Sequence, residues 1–198
     1  MWMIAKEVRT ANFTKEDRAM KRISIWMIAG IIASVAVLTI GAATSAQDKY
    51  SLQLPNGLAF SEFRGYENWQ VVSVSQTPEL LKVEVANPTM IAAYRAGIPG
   101  NGKPFPDGSK IAKIEWKPKK MVESPFFVNV PDTLQDVFLI EKDSKRFPDT
   151  KGWAYAVFDY QPTSATFKPD PTGTVNCGFA CHTIVKDKDY IFHSYQKR

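Results

Sequence analysis

WQVVSVSQTPELLKVEVA, Trp69 to Ala86, is the stretch that decides the architecture. Trp69–Ser75 and Leu80–Ala86 read as two strands, with Gln76-Thr77-Pro78-Glu79 as the turn between them. In the second strand Lys82 and Glu84 share one face, while Leu81, Val83 and Val85 share the other. That two-residue period belongs to a half-buried antiparallel strand. A short helix follows with both its boundary signals. Asn87 caps it, Pro88 takes the first helical position, and Gly97 stops it after TMIAAYRA.

Outward from there the chain keeps to short elements, broken by 13 prolines. Residues 98–108, IPGNGKPFPDG, form a loop. Lys110–Lys117 alternates again, Phe126–Val130 reads as a short strand, and Val137–Glu141 reads as extended. Gly152–Tyr160, GWAYAVFDY, is extended and aromatic, with Trp153 and Tyr155 on one face and Ala154, Ala156 and Phe158 on the other. Core packing accounts for both sets. Residues 161–173 read as a Pro/Thr/Gly loop. The expected class is α+β: a mainly antiparallel sheet with a few short packed helices, one of them near the C-terminus.

At 198 residues the length suits one domain. Six of the 25 Lys/Arg but only three of the 20 Asp/Glu lie in residues 1–46, so most of the +5 charge sits there. The remainder is near balance, which excludes a nucleic-acid-binding face. Lys21-Arg22 precedes Ile23–Ile40, 18 residues without a charge, and GAATSA then offers small residues up to Ala46. This is the grammar of an export signal, with residues 1–19 as an upstream extension. An uncleaved membrane anchor is the alternative, since 18 apolar residues lie near the lower limit for spanning a bilayer. The expected division is 1–46 for extension and signal, and 47–198 for an exported domain, periplasmic in a bacterium.

CGFACH, Cys177–His182, holds both cysteines and one of the two histidines. Covalent haem attachment takes two thiols and an imidazole, usually spaced C-x-x-C-H. Here Cys181-His182 keeps its normal relationship and Cys177 has moved by one residue. Residues three or four apart share a helix face, so both thiols can still meet one ligand. Three other readings of the six residues stand beside this one: a Cys177–Cys181 disulfide, strained on a regular helix; a zinc site of Cys177, Cys181, His182 and His193; and an ordinary surface histidine beside core cysteines. If haem binds, His182 ligates the iron. The 16 residues after it contain no methionine to take the sixth position, so a five-coordinate iron with an open face is expected. Strand periodicity and the prolines exclude a four-helix haem bundle.

FRGYENWQVVSVSQTPE, NPTMIAAYRAG, PFPDGSKIAKIEWK, KRFPDTKGWAYAVF and CHTIVKDKDYIF occur in this order between Phe63 and Phe192. In them the chain resembles the cytochrome P-460 family, which includes the β-sheet cytochromes c′. The resemblance implies an antiparallel β fold, a homodimer, and one covalently attached haem c near the C-terminus with five-coordinate iron. It implies haem attachment at Cys177 and Cys181 and iron ligation by His182. It leaves two activities open. P-460 cytochromes proper bond a lysine to the haem edge and oxidise hydroxylamine. The β-type cytochromes c′ lack that bond and bind nitric oxide or carbon monoxide in an apolar pocket.

The lysine that corresponds is Lys113. Periodicity argues against it, because Ala112, Ile114 and Trp116 form the apolar face of their strand, and Lys113, Glu115 and Lys117 form a polar face that would ordinarily be solvated. Phe105 and Phe126-Phe127 are the candidates to cap the open iron face, with core packing as the alternative for each. Glu115 shares the face of Lys113, although no acid can be singled out for proton transfer. His193, after a strand-like DYIFH, and the run Lys186–Asp189 read as surface. The expected partners are a small nitrogen species, a second copy of the chain and an electron carrier whose identity the sequence does not give.

Overall fold

The two strands read from Trp69 to Ala86 pair with each other. β1 is Gln70–Gln76 and β2 is Leu81–Ala86, antiparallel, with Val74 opposite Val83. The computed structural model describes residues 46–196 and 198, and the export signal read before Ala46 lies outside them. Four more strands complete a sheet in simple sequence order: β3 Lys110–Lys120, β4 Asn129–Lys142, β5 Trp153–Gln161 and β6 Thr166–Asp170, every neighbouring pair antiparallel. The helix is where its caps predict. α1 runs Pro88–Arg95, and Asn87 Oδ1 accepts the Met90 N–H at 3.1 Å.

Three readings are corrected. Residues 161–173 are not all loop, because Thr166–Asp170 forms β6. Pro169 is tolerated there because β6 is an edge strand. Phe126–Val128 precede β4 instead of forming a strand, and β4 begins eight residues before the expected Val137. The strand-like DYIFH is a turn followed by irregular chain. The length of β3 and β4 has a physical reason. Their far ends project as a two-stranded ribbon beyond the last β2 partner, Trp116, and the first β5 partner, Asp136, with Pro118 opposite Pro131. A proline fits a ladder only where its nitrogen points away from the partner, and a free-edged ribbon supplies such positions.

Both faces of the sheet are covered. On one, Leu58, Phe60 and Phe63 from the irregular N-terminal segment pack on Ala112, Leu139, Ala156 and Phe158. Each of those aromatic burials contributes about 1.5–3 kcal/mol. On the other, Met90 and Ile91 of α1, Phe105 and Ile191 pack against Trp153 and Tyr155. The alternation in β5 therefore divides its side chains between two cores. The second face also carries Lys82, Glu84, Lys113 and Glu115, and there the C-terminal segment leaves a cavity.

Candidate functional site

The turn that holds Cys177 carries one residue more than an α-helical turn. Phe179 N–H donates to the carbonyl of Thr174 at 3.1 Å, and Ala180 N–H reaches the carbonyl of Val175, so Val175–Phe179 is a π-helical turn. It runs into α2, Ala180–His182, and then a 3-10 turn, Thr183–Lys188. A π turn absorbs an inserted residue without ending the helix. Cys177 and Cys181 therefore both line the cavity that His182 lines, despite the C-x-x-x-C-H spacing. Both thiols are unpaired and exposed.

Two glycines let this segment lie against β5. A Cβ on Gly178 would stand 2.5 Å from Tyr155 Cβ, and one on Gly173 would stand 2.2 Å from Val157 Cγ2. Neither distance is sterically possible in a close-packed interior. The cavity between segment and sheet measures about 340 Å³. Its sheet wall is largely apolar, with Phe138, Ile140 and Val157, and turns polar toward Lys113, Lys82 and Glu84.

His182 is held for ligation through one nitrogen. Its Nδ1 lies 2.5 Å from the carbonyl oxygen of Tyr190. A carbonyl only accepts, so Nδ1 carries the hydrogen and Nε2 keeps its lone pair. Burial holds the pKa of the ring below its ordinary value and the positive charge of Lys113 adds to this, against the opposing pull of the carbonyl bond. A neutral imidazole is the form a metal needs. Tyr155 and Phe192 flank the ring, each with its centroid 4.9 Å away.

Lys113 is not on a solvated face. Its Nζ lies 2.9 Å from Glu115 Oε1 and 3.8 Å from the centre of the Phe138 ring, on the cavity wall. Glu115 is only 3% exposed and also pairs with Lys82 at 3.2 Å. Across the next strands, Asp136 stands opposite Glu115 and Asp159. Partial burial and these two negative charges push the Asp136 carboxyl up to about 6.

The other expected residues fall elsewhere. Phe105 is 2% exposed, packs against Tyr94 and Trp153, and does not line the cavity; its place is the core. Phe126 and Phe127 lie on the exposed tip of the β3–β4 ribbon, away from the cavity. His193, read as surface, lines the cavity, and its Nδ1 lies 2.8 Å from Glu84 Oε2. Tyr155, read as core packing, also lines the cavity, and its buried hydroxyl lacks a partner. Position in the sequence could not show either role, because each depends on elements that meet only in the fold.

These residues fit a covalently held haem. Two free thiols and one tautomerically fixed imidazole share an apolar-walled cavity. Among the described residues, no group of three or more His, Cys, Asp or Glu is disposed to hold a metal ion by itself, which leaves the four-ligand zinc reading without support. No curated protein matches the chain. Compared with known protein families, residues 63–193 match cytochrome P-460. That family binds haem c covalently, and its match takes in β1 to β6, the π turn and His182. The chain belongs to the cytochrome P-460 family.

Proposed function

We propose that this is an exported monohaem cytochrome that oxidises hydroxylamine or detoxifies a related nitrogen oxide, with Lys113 bonded to the haem edge. Cys177 and Cys181 form the thioethers, and His182 Nε2 binds an iron left five-coordinate on its other side. Bound haem supplies the redox chemistry and the ligand site. The protein supplies orientation, axial ligation and the polarity of the wall. The observation that carries the enzymatic reading is Lys113 on the wall of the cavity that Cys177, Cys181 and His182 also line. Glu115 Oε1 lies 2.9 Å from its ammonium and is placed to accept the proton that the amine loses; the C–N bond replaces a C–H bond at the haem edge and so requires a two-electron oxidant from outside the protein, such as a peroxide.

A second reading, nitric oxide binding without a lysine bond, draws on the apolar part of the wall at Phe138, Ile140 and Val157. Self-association as a homodimer draws on Met121, Val122, Phe126 and Phe127, all exposed at the ribbon tip. The deciding test is the absorption spectrum of purified haem-loaded protein, oxidised and reduced. A red-shifted, broadened reduced band that disappears in Lys113→Ala supports the enzyme. An ordinary five-coordinate spectrum that shifts with nitric oxide, unchanged in Lys113→Ala, replaces it with the gas binder.

A further inference from the structure

The chain reverses just after the histidine segment through two consecutive left-handed residues, Asp189 at φ 48° and Tyr190 at φ 65°. Neither is glycine, so the surroundings must impose the conformation. The Asp189 side chain shows how. Its Oδ1 accepts from Lys142 Nζ at 2.9 Å, and its Oδ2 accepts the Phe105 N–H at 2.8 Å. Lys142 is itself 5% exposed and also donates to the carbonyl of Lys151 at 3.0 Å. One buried ion pair thus ties three segments together: the loop at Phe105, the loop at Lys151, and the left-handed turn. The carbonyl presented by that turn is Tyr190 O, the acceptor for His182 Nδ1.

We propose that Lys142 and Asp189 are positioning residues for the iron ligand: the pair fixes the turn that aims the Tyr190 carbonyl at His182. This rests on the reading of His182 as the iron ligand. Buried ion pairs contribute little net stability but hold geometry, because breaking one leaves an uncompensated charge. A backbone carbonyl on the far nitrogen of a ligating histidine sets ring orientation and raises ligand basicity. A more basic histidine favours ferric over ferrous iron and so lowers the midpoint potential. Loosening the turn weakens that bond and raises the potential.

The test is the midpoint potential of the haem-loaded protein in Lys142→Met and Asp189→Asn, beside wild type. Positioning predicts a positive shift in both, because both variants loosen the same carbonyl. Direct charge effects predict opposite signs, since removing a cation lowers the potential and removing an anion raises it. Opposite signs, or no shift in either, overturn the proposal. Lys142→Arg, which keeps charge and donors, should restore the wild-type value. Should Lys142→Met fail to fold, the nearly isosteric Asp189→Asn paired with Lys142→Arg carries the test. There a positive shift in Asp189→Asn supports positioning only if its ferrous iron–histidine Raman band also falls in frequency. An unmoved band assigns the shift to charge and overturns the proposal. If His182→Ala leaves the haem spectrum unchanged, the ligand assignment itself fails, whatever the two pair variants do.

Discussion

Lys113 Nζ and Glu115 Oε1, two residues apart on one face of β3, lie 2.9 Å apart beside the cavity that His182 lines. Glu115 is buried, at 3% exposure, while Lys113 is only partly buried. If Lys113 bonds the haem as proposed, replacing Glu115 by Gln removes its proton acceptor while keeping the side-chain shape. The expected outcome is slower or absent appearance of the lysine-modified spectrum during maturation, with haem still covalently held. Intact mass and the reduced absorption band check this. A Glu115→Gln protein that matures to the wild-type spectrum at the wild-type rate removes Glu115 from the process.

The π turn makes a prediction about covalent attachment. If both thiols bond haem, Cys177→Ser and Cys181→Ser each retain haem through the remaining thioether, and the double variant, made in a Lys113→Ala background so that no lysine bond is left, loses it to acidified organic solvent. Each single variant leaves one vinyl group conjugated and shifts the reduced band to longer wavelength. A Cys177→Ser protein indistinguishable from wild type in mass-corrected spectrum would show that only Cys181 is bonded.

Gly178→Ala tests the close approach to β5. The added methyl would fall 2.5 Å from Tyr155 Cβ, so backbone or ring must move. Overpacking of this kind costs about 1–3 kcal/mol. Urea unfolding should report that loss, and the haem-loaded yield should fall with it.

Asp136 predicts a pH dependence. Its carboxyl titrates at about 6 in the folded chain against an ordinary value of 3.8, pushed up by burial, then by Glu115 and Asp159, and pulled back by Lys113 and Lys82. A raised carboxyl pKa means that ionisation works against folding. The favourable state is therefore complete below about pH 4, and stability falls as pH rises through about 6. Asp136→Asn should stabilise the protein by about 1 kcal/mol at pH 7, a figure reduced for its partial exposure, and by nothing at pH 3.5. Thermal melts at the two pH values check it.

Much of this fold is legible locally. Asn87-Pro88 marks the start of α1, and the alternation from Trp69 to Ala86 and from Lys110 to Lys117 marks three strands within a residue or so at most of their ends. The same alternation misleads about what the polar faces meet. Lys82, Glu84, Lys113 and Glu115 look solvated because a period of two separates faces without saying what lies on each. Here the second face meets a cavity, so the polar stripe marks a site. Thr166–Asp170 was hidden by Pro169, which rules out a central strand but not an edge. Asp189 looked like part of a solvated run because its partner, Lys142, is 47 residues away in sequence. His193 and Glu84 are separated by 109. Contacts of that range leave no local pattern.

The prolines of the projecting ribbon bear on what its tip can join. A bare strand edge offers N–H and carbonyl groups to any passing chain and so invites sheet extension and aggregation. Pro118 and Pro131, facing each other across the ribbon, withhold an N–H on each outer edge. Val122, Phe126 and Phe127 remain exposed just beyond them. If the proposed homodimer forms at this end, the prolines favour joining through side chains, where shape decides the partner, over edge-to-edge strand addition, which exposed apolar surface would otherwise promote.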